Sequence, residues 1–130
     1  MIGLVIVTHA GLATSLIAAA TMINGSSDRC EAVELHADDP ADGLVARIAA
    51  SLERVGGDGA IIMTDMFGGT PSNAAMSFLK EGTVEVVTGV NLPMMVEFFS
   101  RRERMSLVEL CASLVRCGRE SVIVAGEFLK

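Results

Sequence analysis

The stretch GAIIMTDMFGGTPSNAA, Gly59 to Ala75, decides the reading of the fold. Gly59–Thr64 is a continuous apolar run of strand length, the pattern of a strand buried on both faces of a parallel sheet. Asp65 ends the run, and Met66-Phe67-Gly68-Gly69 follows as a loop. Thr70 then has the form of an N-cap, with Pro71 at the first helical position of a helix predicted over Pro71–Lys80.

The same unit recurs on either side. Ile2–Thr8 is a second nearly continuous Leu, Val and Ile run, followed by a helical pattern over Gly11–Asn24 that Gly25 stops. Glu31–Leu35 is a short strand leading into a helix from Pro40 to about Val55, with Asp39 as its cap. Thr83–Thr88 is a further strand, and Met94–Phe99 starts another helix. Ser106 and Glu109 have the spacing of a capping box for a helix to about Cys117, closed by Gly118. Ser121–Gly126 (SVIVAG) reads as a last strand.

This alternation predicts one α/β domain over residues 1–130, three layers deep, with a doubly wound, mainly parallel sheet of order 2-1-3-4. Ligands of such sheets sit beyond the carboxyl ends of the strands, where strand order reverses. The loops to inspect are therefore Thr8–Gly11, Ala37–Pro40, Asp65–Thr70 and Gly89–Pro93.

Composition narrows the function. Hydrophobic residues are 51% and charged residues 20% of the 130, enough for a core and against disorder. Ten basic against 16 acidic side chains give a net charge of -6, and there is no Trp or Tyr, so neither a phosphate-neutralising patch nor a base-stacking platform is available for nucleic acid. No run reaches the ~18 apolar residues of a membrane span, and no basic leader precedes the first strand, so a cytoplasmic protein without direct membrane insertion is expected. Cys30, Cys111 and Cys117 lack CxxC spacing and are expected to be reduced thiols of the interior.

At the switch point two side chains should meet. His9 follows the first strand and Asp65 the third, and these strands are neighbours in the predicted order. A carboxylate on one ring nitrogen fixes the tautomer and leaves the other nitrogen free as base or nucleophile. Next to them, Phe67, Gly68, Gly69, Thr70 and Ser72 form a loop and helix start suited to an anion, through close backbone approach, free amides and hydroxyls. Nucleophile, orienting acid and anion cradle together suit a phosphoryl group carried on imidazole. No GxxxxGK[ST] motif is present, the first strand ends without the acids of a receiver domain, and Thr8 stands where a histidine phosphatase would have Arg. With two histidines and no carboxylate cluster around His9, no metal or other cofactor is expected. His36 is read as a loop residue, and Arg101, Arg102 and Arg104 as a solvated helix end.

Three blocks, IVTHAGLATSL around His9, TDMFGGTPSNAA after the third strand and GVNLPMM after the fourth, resemble the EIIA component of the mannose family of the bacterial phosphoenolpyruvate-dependent sugar phosphotransferase system. The resemblance covers essentially the whole chain. It implies a phosphotransferase component whose histidine, matched by His9, is phosphorylated on Nε2 by the phosphocarrier HPr and passes the group to an EIIB component for sugar uptake. Asp65 matches the acid that hydrogen-bonds that imidazole. The resemblance also implies a homodimer that exchanges a C-terminal strand, for which Ser121–Gly126 is the candidate. Ala10 stands where the family often has Gly. The chain ends after the EIIA domain, so a separate EIIB is expected. Met66, Asn91, Met94 and Met95 are expected to form an adaptable docking rim around His9. Two readings stay open beside transport: a regulatory protein whose His9 phosphorylation state controls partner binding, and an anion-binding module without a covalent step.

Overall fold

The computed structural model describes residues Met1–Lys130. Four strands, β1 (Gly3–His9), β2 (Cys30–Leu35), β3 (Ala60–Thr64) and β4 (Val84–Thr88), form one sheet of order β2-β1-β3-β4, all pairs parallel. Six helices connect and follow them: α1 (Leu12–Asn24), α2 (Ala41–Val55), α3 (Thr70–Met76), α4 (Leu92–Arg101), α5 (Leu107–Glu120) and α6 (Ala125–Phe128). The predicted α/β class, parallel sheet and strand order hold.

Alternation along the central strands divides the core in two. Leu4 and Ile6 of β1 and Ile61 and Met63 of β3 pack with Ala13 and Ala20 of α1, Met94, Met95 and Phe98 of α4, and Leu110 and Leu114 of α5. Val5, Val7 and Ile62 face the other way, onto Leu44 and Ile48 of α2 and Ala74 and Ala75 of α3. Helices therefore cover both faces, which is why β1 and β3 read as unbroken apolar runs.

Several boundaries differ from expectation. Gly69, not Thr70, precedes α3, and that helix stops at Met76. Asp39 does not cap α2; it accepts the His36 amide at 2.9 Å within the preceding turn. Gly118 does not end α5 but lies inside it, where a Cβ would stand 2.6 Å from Met94 Sδ, so the glycine lets two helices approach. The Ser106–Glu109 capping box is present as predicted.

Two expectations are not met within the single chain. Ser121–Gly126 forms no strand in the chain: residues 122–124 join no ladder, α6 begins at Ala125, and all of 121–130 is exposed. A β-branched sequence becomes a strand only when a neighbour pairs its amides and carbonyls, and this tail has none within one chain. Arg102 is not a solvated helix end. It is 94% buried, with only 6% exposed, and its guanidinium lies 5.4 Å and 5.2 Å from the ring centroids of Phe98 and Phe99. The planar cation spends its stem and face on aromatic surface, which pattern reading of an RRxR run cannot anticipate.

Candidate active site

His9 is the last residue of β1, and Asp65 directly follows β3, so parallel pairing of the two strands brings them together at the carboxyl edge. Asp65 Oδ2 accepts two hydrogen bonds from His9: from its backbone amide at 3.0 Å and from ring Nδ1 at 2.8 Å. Asp65 Oδ1 accepts the Met66 amide at 3.1 Å. Burial works to raise the Asp65 carboxyl, yet the His9 amide and ring outweigh it and hold the group below the usual carboxylate range. Asp65 is thus an ionised acceptor, and with Nδ1 carrying the proton the lone pair sits on Nε2.

Nε2 faces the loop after Asp65. A Cβ on Gly69 would lie 3.8 Å from His9 Cε1 and 3.9 Å from Nε2, so the glycine leaves open the space a side chain would take beside that ring edge. Gly68 and Gly69 both have positive φ, 87° and 88°, a conformation that a side chain would strain. Ser72 is fully buried and its Oγ accepts the Gly68 amide at 3.2 Å, which pins the loop onto α3. Asn73 N–H is used by Gly69 O at 3.0 Å, and Pro71 has no N–H. The amides of Gly69, Thr70 and Ser72 have no acceptor in the chain and remain at the start of α3.

On the other side of His9, Ala10 takes the left-handed φ of 49°, and its amide donates to Leu35 O at 2.8 Å. Thr8 Oγ1 accepts the Ala13 amide at 2.9 Å, and Glu34 Oε2 accepts the Thr14 amide at 3.0 Å. Neither residue carries a sequence signal of its own: both sit on strands whose side-chain direction becomes visible only with the register Thr8↔Glu34. His36, expected to lack company, has Nε2 3.3 Å from Glu34 Oε1.

The expected docking rim divides. Met66 and Phe67 project from the loop, 55% and 74% exposed. Met94 and Met95 are buried against the sheet and belong to the core, because α4 turns that face inward. Asn91 caps α4, accepting the Met94 amide at 3.1 Å, and donates to Gly118 O at 3.1 Å, so it staples the third loop to α5. No three His, Cys, Asp or Glu side chains are grouped so as to hold a metal ion. No helix is long and apolar enough to cross a membrane.

The fold and site define the class: a doubly wound, parallel α/β domain with an aspartate-paired histidine and a glycine loop at the carboxyl edge of its sheet. The family model described as EIIA-man, PTS system fructose IIA component, matches residues 3–115, and the chain belongs to this family of phosphotransferase-system components that serve sugar transport. It is 30% identical over 132 residues to the PTS system fructose-specific EIIA component of Bacillus subtilis strain 168, covering all of this chain and 90% of that protein. It is 33% identical over 124 residues to the PTS system mannose-specific EIIAB component of Escherichia coli K12, spanning 93% of this chain but 38% of that longer protein. Among solved structures, the mannose/sorbose specific IIA subunit from Enterococcus faecalis superposes with a TM-score of 0.85 at 29% identity, over 95% of this chain and 93% of that one.

Proposed function

We propose that this chain carries a phosphoryl group on His9 Nε2, accepting it from phosphorylated HPr and delivering it to an EIIB component. The observation that supports this reading most is the Asp65 Oδ2–His9 Nδ1 contact of 2.8 Å, which leaves Nε2 as the bare nitrogen beside Gly69.

In the transfer, the Nε2 lone pair attacks phosphorus while the nitrogen–phosphorus bond of the donor phosphohistidine breaks and its electron pair returns to the donor ring. One such bond replaces another. The positive charge that develops on the His9 ring is balanced by the Asp65 carboxylate through the Nδ1–H bond. The Gly69, Thr70 and Ser72 amides and the Thr70 hydroxyl are the donors for the phosphoryl oxygens. With His9 half exposed (49% of its side chain) and Met66 and Phe67 bare beside it, a partner's own phosphohistidine has access, and apolar contact excludes water during exchange.

The experiment is incubation with phosphoenolpyruvate, enzyme I and HPr, followed by intact mass, with His9→Ala as control. A single acid-labile phosphoryl adduct, absent in the control, is expected. A folded protein that takes no phosphoryl group from active HPr overturns the reading. Discharge by an EIIB component then separates the transport role from a purely regulatory one.

We also propose that two copies pair through the tail. Val122, Ile123, Val124, Phe128 and Leu129 are bare, and β4 ends the sheet with an open edge. Between β4 and α5 runs a groove of about 1210 Å³ lined by Val86, Cys111, Val115 and Val122 among others. An edge strand beside an apolar unpaired tail is a ready template for pairing with a second chain.

A further inference from the structure

His9 stands between the first turns of two helices, and the chain treats the two differently. The first turn of α3 keeps free amides. The first turn of α1 also keeps the Gly11 and Leu12 amides free, but its next two are taken from within, the Ala13 amide by Thr8 Oγ1 and the Thr14 amide by the Glu34 carboxylate at 3.0 Å. A carboxylate there occupies the place that a helix start would otherwise offer to an incoming anion.

Glu34 is not a distant surface acid. It lies opposite Thr8 in the β1–β2 register, one position from the His9–Leu35 pair. Its side chain is mostly buried, 18% exposed, and the Thr14 hydrogen bonds, followed by the nearby His36 ring, hold its carboxyl below the usual range despite burial. It is therefore a fixed negative charge on the α1 side of the transfer site.

We propose that Glu34 sets the phosphoryl-transfer potential of His9, its charge at the head of α1 disfavouring the phosphorylated state. This rests on the phosphocarrier reading of His9. Glu34 makes and breaks no bond; it shifts the balance of the exchange between donor and His9. A carrier must release its load, and a phosphoryl group held by two open helix starts would be over-stabilised. With Glu34 in place, the head of α1 carries a negative charge that the start of α3 lacks. At a separation on the order of 10 Å and a near-aqueous dielectric, a dianionic group and one carboxylate repel enough to shift the equilibrium roughly 3- to 10-fold.

The test is the equilibrium between phosphorylated HPr and this protein, read by intact mass for wild type, Glu34→Gln, Glu34→Ala and His36→Lys. Glu34→Gln keeps an oxygen for the Thr14 amide and removes only the charge. It is expected to raise the equilibrium constant for phosphorylation roughly 3- to 10-fold and to slow onward transfer, with Glu34→Ala matching it. His36→Lys puts a fixed cation at the exposed position whose ring now lies 3.3 Å from that carboxylate, and is expected to shift the equilibrium in the same direction. If Glu34→Ala moves the equilibrium and Glu34→Gln does not, the residue acts as a cap and the proposal fails. If the Glu34 variants do not fold, an unshifted His36→Lys overturns it. If wild type is phosphorylated and no variant shifts, Glu34 has no such role while the carrier reading stands. A wild type that takes no phosphoryl group overturns both.

Discussion

Asp65 Oδ2 receives both the backbone amide and the ring Nδ1 of His9, at 3.0 Å and 2.8 Å, so one oxygen sets the position of the main chain and the orientation of the ring. Asp65→Asn presents an amide in place of that acceptor, whose NH2 competes to leave the wrong nitrogen protonated. Phosphorylation of His9 is expected to slow by about 10²- to 10⁴-fold, with little change in fold. Single-turnover transfer from phosphorylated HPr checks this, and the ring nitrogen shifts in an NMR spectrum report the tautomer directly.

The same pair has a pH signature. Because the folded Asp65 carboxyl is held low, its contribution to stability is complete above the ordinary aspartate value of about 3.9 and is lost as pH falls through the lower folded value. The stability gap between wild type and Asp65→Asn should therefore narrow from about pH 4 downward. Urea melts of the two proteins across acidic pH measure it, and a gap independent of pH would contradict the assignment.

Gly68 and Gly69 separate strain from obstruction. Both have φ near +90°, but a Cβ at Gly68 meets nothing within 4 Å, whereas at Gly69 it meets His9 Cε1 and Nε2. Alanine at either position should cost about 1–2 kcal/mol of stability. Only Gly69→Ala should also depress phosphoryl acceptance beyond what its stability loss explains. Thermal melts paired with transfer rates distinguish the two.

Arg102 is a packing residue by its contacts. Arg102→Ala uncovers Phe98 and Phe99 and is expected to destabilise by about 1–3 kcal/mol, while leaving His9 chemistry at the far end of the sheet unchanged. Denaturant unfolding at neutral pH tests the loss. A nearby site supports this placement: burial pushes the Cys30 thiol up to about 12, so in the native protein Cys30 should resist alkylation at pH 8 and react once unfolded.

Removing the tail tests the pairing of two copies. A chain ending at Glu120 loses Val122, Ile123, Val124, Phe128 and Leu129, each more than half exposed in its own chain. Sedimentation should show the full chain as a dimer and the shortened one as a monomer with its fold intact. A full-length monomer at micromolar concentration would exclude the exchange.

The sequence by itself determined the layered α/β class, the parallel order and the meeting of His9 with Asp65. The apolar runs of β1 and β3 leave no face for solvent, and residues that end neighbouring parallel strands must lie side by side. Local signals also sufficed for the Ser106–Glu109 capping box, whose partners are three residues apart. The tertiary structure alone decided the rest. Met94 and Met95 became core rather than rim because packing chose the face of α4, and Asn91 became a staple because α5 returns beside it. Arg102 went inward because two aromatic rings met it there, a contact no run of arginines announces. Glu34 reached the head of α1 through strand register, and SVIVAG stayed unpaired because strand formation needs a partner its own chain does not supply.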